Sequence, residues 1–450
     1  MAPGARPEHD DGHDGAPHAP DGPQPWVERG DREREGRPER EPDEGPEPVG
    51  PGRAHGRERG ERHGELGRVA PPVGADEEAA DEGEPGEHGP GRGGLRLRPG
   101  HSAGAGGGSA AVHAAPGPLT PSPMTAHAST RLAHDVRCSV ARGDGLSSAD
   151  LFGLAAVAFG GTLAEGAFTP RDAYDAAELG LHLHLLGTVG RLPAEPDAAR
   201  NALAEVERLS ALLPSQTRRT AEQNDYQQFS TPAAYAGLCA WVSGVGEGDR
   251  VLEPSAGTGA LCTFALAAGA SVHANELSGR RANLLSVLLE EAGQDPSQTL
   301  TRENADHLDA ILPAPVRADV VTMNPPFSQT AGRMGRRRIP TVGDDHVLQA
   351  LRRLDDGGRL VTVVSAAVTP GKPSHRPFYR AVQAGPFRLR ANVVVDGAVY
   401  RPYGTSVQTR VLVIDRAEGG GGRAGEGPCV EGEVGSVGAA VDALARVRER

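Results

Sequence analysis

Asn324-Pro325-Pro326-Phe327 is the tetrapeptide best suited to chemistry in this chain, and the apolar run Asp319 to Met323 leads directly into it. Two successive prolines lack N–H donors and fix φ, so the carbonyls before and between them are held in set directions. The Asn324 carboxamide oxygen and the Pro325 carbonyl then offer two acceptors side by side, and Phe327 offers a flat apolar face. That combination suits an exocyclic amino group on a planar ring: two acceptors for its two hydrogens and one surface for stacking. Taken alone, the four residues also fit an ordinary Asn-Pro-Pro turn.

A second motif lies upstream. Val251-Leu252-Glu253-Pro254-Ser255-Ala256-Gly257-Thr258-Gly259-Ala260-Leu261 reads as a strand, an acidic tip, a glycine loop and a helix start. Glycines allow positive φ and a close backbone approach to a ligand. Dinucleotide folds place such a loop against pyrophosphate, with a third glycine for helix packing. Here the pattern stops at Gly257-x-Gly259, and Glu253 and Pro254 stand at the strand end. A carboxylate repels phosphate but receives a cationic amine. The loop therefore fits S-adenosylmethionine, with its ammonium and sulfonium, better than NAD.

Glu276 ends the next apolar run, Ser271 to Asn275, where doubly wound folds commonly place an acid for ribose hydroxyls. It equally suits the N-terminal end of the helix expected from Leu277 to Glu291. Asp306 follows a third such stretch and could accept from an adenine amino group or serve as a turn residue.

Flanking segments complete the pattern: Tyr226-Gln227-Gln228-Phe229-Ser230-Thr231-Pro232 upstream, and Tyr400-Arg401-Pro402-Tyr403-Gly404-Thr405 downstream. With these in place the chain resembles the amino-group DNA methyltransferases that modify adenine N6 or, less often, cytosine N4. The nearest likeness is to the methyltransferase-like domain of strawberry-notch-type helicase proteins of phages and plasmids. It covers residues 224–416 and includes the run from Met323 to Gly335. The resemblance implies S-adenosylmethionine as cofactor and DNA as partner, and leaves room for a separately encoded helicase. It implies that Phe229, Thr231 and Pro232 touch the methionine part of the cofactor, that Glu253, Pro254, Gly257, Gly259, Glu276 and Asp306 complete its site, and that Asn324, Pro325, Pro326 and Phe327 are catalytic. Tyr400 and Tyr403 are open between pocket wall and ordinary packing.

Three other readings stay open. RNA guanine N2 and a protein glutamine amide also present a planar amino group, so the same pocket logic covers them. A non-catalytic recognition module serving a helicase is the third, since the chain has no Gly-x-x-x-x-Gly-Lys-Ser/Thr motor loop of its own.

Composition bounds the rest. Residues 1–123 contain no Ile, Phe, Tyr, Cys or Lys and are rich in Gly, Pro, Glu, Arg and His, so they cannot bury enough apolar surface to fold. They read as a disordered tail, or as a stretch upstream of a true start at Met124. No run of about 18 apolar residues exists, so no membrane-spanning helix is expected, and there is no signal-peptide pattern. Cys138, Cys239, Cys262 and Cys429 are scattered, which suggests neither a metal site nor a disulfide framework and suits the cytoplasm. The formal charge of −13 argues against a uniformly basic nucleic-acid binder. Arg333, Arg336, Arg337 and Arg338 nevertheless cluster after the tetrapeptide, as a phosphate contact or a solvated loop.

The elements that must position these residues are then legible. Residues 124–220 read as a helical region, with helices at Ser148 to Phe159, Pro170 to Leu186 and Ala198 to Leu213. His182 and His184 lie two apart, do not share a helix face, and read as surface or boundary residues. Residues 221–416 read as the methyltransferase domain, with strands at 250–253, 271–275, 300–303, 319–323, 359–364, 391–395 and 409–414. Alternation of strands and helices predicts an α/β, Rossmann-like, mostly parallel sheet. The last two strands are too close for a crossover, so an antiparallel final strand is expected. Residues 417–450 read as a flexible tail with a short helix from Val441.

Overall fold

The computed structural model describes residues 123–216, 230–314, 316–327, 329–330, 338–339, 341–419 and 427–449. The expected N-terminal tail, Phe229 with the residues just before it, and the Arg333–Arg337 cluster lie outside the described residues, as does the side chain of Arg338.

Four helices come first: α1 (Pro123–Arg142), α2 (Ser148–Phe159), α3 (Pro170–Thr188) and α4 (Pro196–Ser210). Two of them start at reciprocal capping boxes. Ser147 pairs with Asp150, and Thr169 pairs with Asp172, with Pro170 at the first helical position of α3. Each box satisfies backbone donors that a helix start otherwise leaves bare. α3 is buried on nearly every side because it lies between α1 and the sheet domain's helices.

The sheet domain follows: α5 (Ala233–Ser243), β1 (Arg250–Glu253), α6 (Ala260–Ala267), β2 (Ser271–Asn275), α7 (Gly279–Glu291), β3 (Leu300–Thr301), β4 (Ala318–Met323), α8 (Val342–Arg353), β5 (Leu354–Ser365), α9 (Arg376–Ala384), β6 (Phe387–Val395), β7 (Thr409–Arg416), β8 (Val430–Val434) and α10 (Val437–Arg448). Short helical turns and a two-residue hairpin fill the gaps between them.

The strand order is β8-β6-β7-β5-β4-β1-β2-β3. All neighbours are parallel except those of β7, which runs antiparallel to both β5 and β6. This is the Rossmann-like methyltransferase sheet that the strand spacing predicts, with one strand added at its edge. Side chains alternate between the faces. Val251, Val320 and Val361 pack with α5, α6, α7, α10 and the helical region, while Leu252, Val321 and Leu360 pack with α8 and α9.

Among the boundaries that differ from expectation, three bear on the sheet's architecture. β3 ends at Thr301 because the Asn275 side chain replaces the ladder beyond it. Asn275 Nδ2 donates to the Glu303 carbonyl, and Asn275 Oδ1 accepts from Glu303 N–H. β5 begins at Leu354, five residues early, through an irregular register with β4 around Gly357, whose φ is 71°. Beyond Arg416, the described part of the expected tail contains β8, parallel to β6, and α10, which buries Val437, Ala440, Val441, Leu444 and Val447.

Candidate active site

β1 and β4 are adjacent and parallel, with Val251 opposite Val320 and Leu252 opposite Val321. Their C-terminal ends therefore emerge side by side. Glu253 and the glycine loop leave one strand, Asn324 leaves the other, and Glu276 leaves β2 on the far side of β1. Crevices outside the carboxyl ends of such strands are where doubly wound sheets bind ligands.

The tetrapeptide is clamped from both sides. Asn324 Nδ2 donates to Thr231 Oγ1 at 3.0 Å. At the N-terminal end of α8, a Cβ on Gly343 would stand 3.0 Å from the Pro326 carbonyl oxygen and 3.6 Å from Pro325 Cγ. The missing side chain lets the helix close directly on the double proline. Pro325 is buried, whereas Asn324, Pro326 and Phe327 are half-buried. Tyr400 is fully buried, edge-on to Tyr235 at 6.0 Å between ring centroids. Burial pushes its hydroxyl acidity far down, and the neighbouring Asn324 side chain partly offsets this. The Tyr400 hydroxyl stops short of good hydrogen-bond geometry. Tyr403 lines a separate cavity of about 360 Å³ with Tyr174, Glu178, Glu207 and Pro232.

The glycines of the loop do different work. Gly257 (φ 60°) faces Arg281, whose Nη1 would lie 3.4 Å from an added Cβ. Gly259 (φ 99°) packs the start of α6 onto α7, where an added Cβ would fall 2.4 Å from Leu288 Cδ2. The packing role that dinucleotide folds give a third glycine thus falls here to Gly259. Pro254 is buried, and its carbonyl accepts from Asn275 Nδ2 at 3.1 Å.

The acids occupy distinct settings. Glu253 is fully buried. Its Oε1 accepts from Ser255 N–H at 3.1 Å, while Oε2 has no partner. Burial pushes this carboxyl well above the usual range, the Ser255 N–H works against that, and the charge of Glu276 adds to it. Glu276 accepts from Gly257 N–H at 2.8 Å and Ser278 N–H at 2.7 Å, so it bridges the loop and the start of α7. Asp306 is engaged on its carboxylate by His346 Nε2 at 2.8 Å and Asn304 Nδ2 at 3.1 Å. Thr231 stands at Asn324, and Pro232 caps the N-terminus of α5.

The sequence pattern did not single out the layer over the loop. Arg171, Asp175, Glu178 and His182 recur at four-, three- and four-residue steps along α3, and all four are buried. That spacing defines one polar face on an otherwise apolar helix, and it is the signal from which the layer could have been found. Glu178 Oε2 accepts from Ser230 Oγ at 2.7 Å and Thr258 Oγ1 at 2.9 Å, and Oε1 accepts from Gln216 Nε2 at 2.7 Å. Burial raises the Glu178 carboxyl, with Arg281 opposing. Burial also acts to raise Asp175, but the guanidinium groups of Arg281, Arg171 and Arg280 outweigh it and hold that carboxyl low. His182, expected at the surface or boundary, is instead 3% exposed, with Nδ1 3.2 Å from the Thr258 carbonyl oxygen. A carbonyl only accepts, so Nδ1 carries the proton. Burial brings the ring's pKa down to about 4, which keeps it neutral at physiological pH.

No family model and no curated protein matches the chain. Solved structures do resemble it. A Listeria monocytogenes protein named as a candidate class I S-adenosylmethionine-dependent methyltransferase aligns at 13% identity and a TM-score of 0.41, over 73% of this chain and 99% of that one. The type I restriction-modification methyltransferase subunit from Streptococcus thermophilus aligns at 15% identity and 0.38, over 65% and 78%. A modification subunit of a candidate type I restriction enzyme from Vibrio vulnificus YJ016 aligns at 16% and 0.36, over 58% and 59%. The chain thus spans less than two thirds of that last subunit. These likenesses concern the fold, which the strand order already establishes.

The residues present fit the cofactor that the loop chemistry suggests. Glu253 has an orphaned, fully buried carboxyl oxygen suited to a donor, and Gly257 leaves the loop backbone open at a positive φ. Among the described residues no group of three or more His, Cys, Asp or Glu could hold a metal ion. No helix among them is long and apolar enough to cross a membrane.

Proposed function

We propose that this chain is an S-adenosylmethionine-dependent methyltransferase acting on an exocyclic amino group of a DNA base, with adenine N6 as the target. The observation that carries the reading is the Asn324–Thr231 hydrogen bond at the shared edge of β1 and β4. It ties the carboxamide to the segment that flanks the glycine loop.

When bound, S-adenosylmethionine would supply an electrophilic methyl carbon. Glu253 would receive its ammonium, the loop from Gly257 to Gly259 would line its amino-acid end, and Glu276 would take ribose hydroxyls. Phe229, Thr231, Pro232, Pro254 and Asp306 complete the proposed cofactor set. Asn324 Oδ1 and the Pro325 carbonyl accept the two hydrogens of the target amine. That draws the nitrogen lone pair out of conjugation with the ring and aims it at the carbon. No strong base is required before attack, because the proton can leave the ammonium afterwards. Positioning supplies much of the rate. Phe327 stacks on the base, which must first leave its duplex stack or be single-stranded already.

The Phe229-Ser230-Thr231-Pro232 segment before the glycine loop supports the amino-group DNA methyltransferases over the alternatives. RNA guanine N2 and protein glutamine remain the competing amines, since both fit two acceptors and a stacking face.

The deciding experiment offers DNA, RNA and protein in parallel to the full chain with radiolabelled cofactor. Label recovered as N6-methyladenine supports the proposal. Label confined to RNA guanine or to glutamine replaces the substrate, and cofactor binding without transfer to any of the three favours a recognition module.

A further inference from the structure

Beside the glycine loop lies a small cleft of about 20 Å³, lined by Ser230, Thr231, Gly257, Thr258, Leu261 and Arg281 among others. A space of that size takes one or two water-sized groups and excludes a ring. Its only charged lining residue, among those described, is Arg281.

That arginine is 4% exposed, a burial seldom tolerated for a guanidinium without several partners. One of its three nitrogens makes a hydrogen bond within the protein, and a second stands at ion-pair distance without one. Nη2 donates to Ser230 Oγ at 2.8 Å, and Nε lies 3.5 Å from Asp175 Oδ1. The third, Nη1, is the one beside Gly257, at the 3.4 Å that an added Cβ would measure.

The charges of Asp175, Glu178 and Glu276 hold the guanidinium cationic, while their nearest hydrogen bonds go to other groups. Asp175 accepts from Arg280 Nε at 2.9 Å, Glu178 accepts from Ser230, Thr258 and Gln216, and Glu276 accepts from two backbone N–H groups. None of the three lines the cleft. The Ser230 and Thr258 hydroxyl protons go to Glu178 and the Gly257 N–H goes to Glu276, so the donor that a ligand atom meets here is the Arg281 Nη1 edge, which suits a carboxylate oxygen.

We propose that Arg281 Nη1, with Ser230 fixing the guanidinium and Gly257 leaving room beside it, forms a subsite for the α-carboxylate of the cofactor's amino-acid end. The inference rests on the S-adenosylmethionine reading above and adds a selectivity to it: the site tells a complete amino-acid terminus from a decarboxylated one. Glu178 acts behind it as a positioning residue, since it holds Ser230, the hydroxyl that orients Arg281 Nη2.

Titration calorimetry on the full chain tests this with S-adenosylmethionine and its decarboxylated analogue, without any turnover. The wild type should bind the complete cofactor about 30-fold more tightly, the scale of one charge-assisted pair. Arg281→Gln should erase that preference by weakening the complete cofactor alone. Arg281→Lys, which keeps the charge but loses the fork, should fall between the two. If Arg281→Gln does not fold, the wild-type preference and Arg281→Lys carry the same test. An equal loss for both ligands, or a wild type that does not discriminate, overturns the subsite while the cofactor reading stands. A wild type that binds neither ligand overturns the cofactor reading and the subsite together.

Discussion

Asn324 Nδ2 donates to Thr231 Oγ1 at 3.0 Å across 93 residues of sequence, and that bond holds the carboxamide against the segment beside the glycine loop. With its nitrogen committed to Thr231, the carboxamide presents its oxygen on the opposite side. A half-turn about the terminal torsion would exchange an acceptor for a donor, which a target amine could not use. Thr231→Val should therefore lower the transfer rate by about 5- to 30-fold, the equivalent of one oriented hydrogen bond. Thr231→Ser should retain most of it. Single-turnover rates at saturating cofactor make the check, and an unchanged rate would contradict the assignment.

Asn324→Ala should leave cofactor affinity within about threefold of wild type and reduce transfer by at least about a hundredfold, because the acceptor acts on the amine in the transition state. Calorimetry and a labelled-methyl assay on the same preparation separate the two. A collapse of cofactor affinity would mean that Asn324 belongs to the cofactor site instead.

Glu253 gives a pH signature. Its folded carboxyl is pushed well above the usual range, so the folded chain keeps a proton that the unfolded chain releases above about pH 4.5. Stability should therefore fall as pH rises from about 5 toward 8 on account of this group. Glu253→Gln, which cannot ionise, should flatten the fall and gain about 1–3 kcal/mol at the upper end, with little difference near pH 4. Urea unfolding of both chains across that range measures it, and parallel curves would rule the effect out.

The same carboxyl must ionise to receive an ammonium, so cofactor binding should tighten with pH and release protons. Calorimetry in buffers of different ionisation enthalpy reads the proton count. Glu253→Ala should weaken binding and abolish the release.

Gly259 combines a φ of 99° with a 2.4 Å approach of an added Cβ to Leu288 Cδ2. Gly259→Ala should destabilise the chain by about 2–4 kcal/mol through backbone strain and overpacking together. Denaturant unfolding checks this, and a loss under about 0.5 kcal/mol would show that α6 and α7 separate easily.

Local pattern alone specified much of this protein. β1 and β2 carry the boundaries that apolar alternation suggests, 250–253 and 271–275, and α2 starts at its serine as its capping residues require. The alternation of strands and helices also pointed to the mostly parallel sheet, and the short span between the last two expected strands to the antiparallel one, since periodicity and loop length are properties of neighbouring residues. What lay beyond the sequence was the choice of distant partners. Nothing near Glu178 or His182 in the chain says that α3 turns its polar face onto Thr258. Nothing near Thr231 says that its hydroxyl meets Asn324. The C-terminal residues looked like a tail because β8 is short and mostly polar, and it becomes a strand only where β6 offers an open edge. Each of these contacts is set by burial and hydrogen-bond satisfaction across the packed interior, energies that exist only once the sheet and its covering helices have come together.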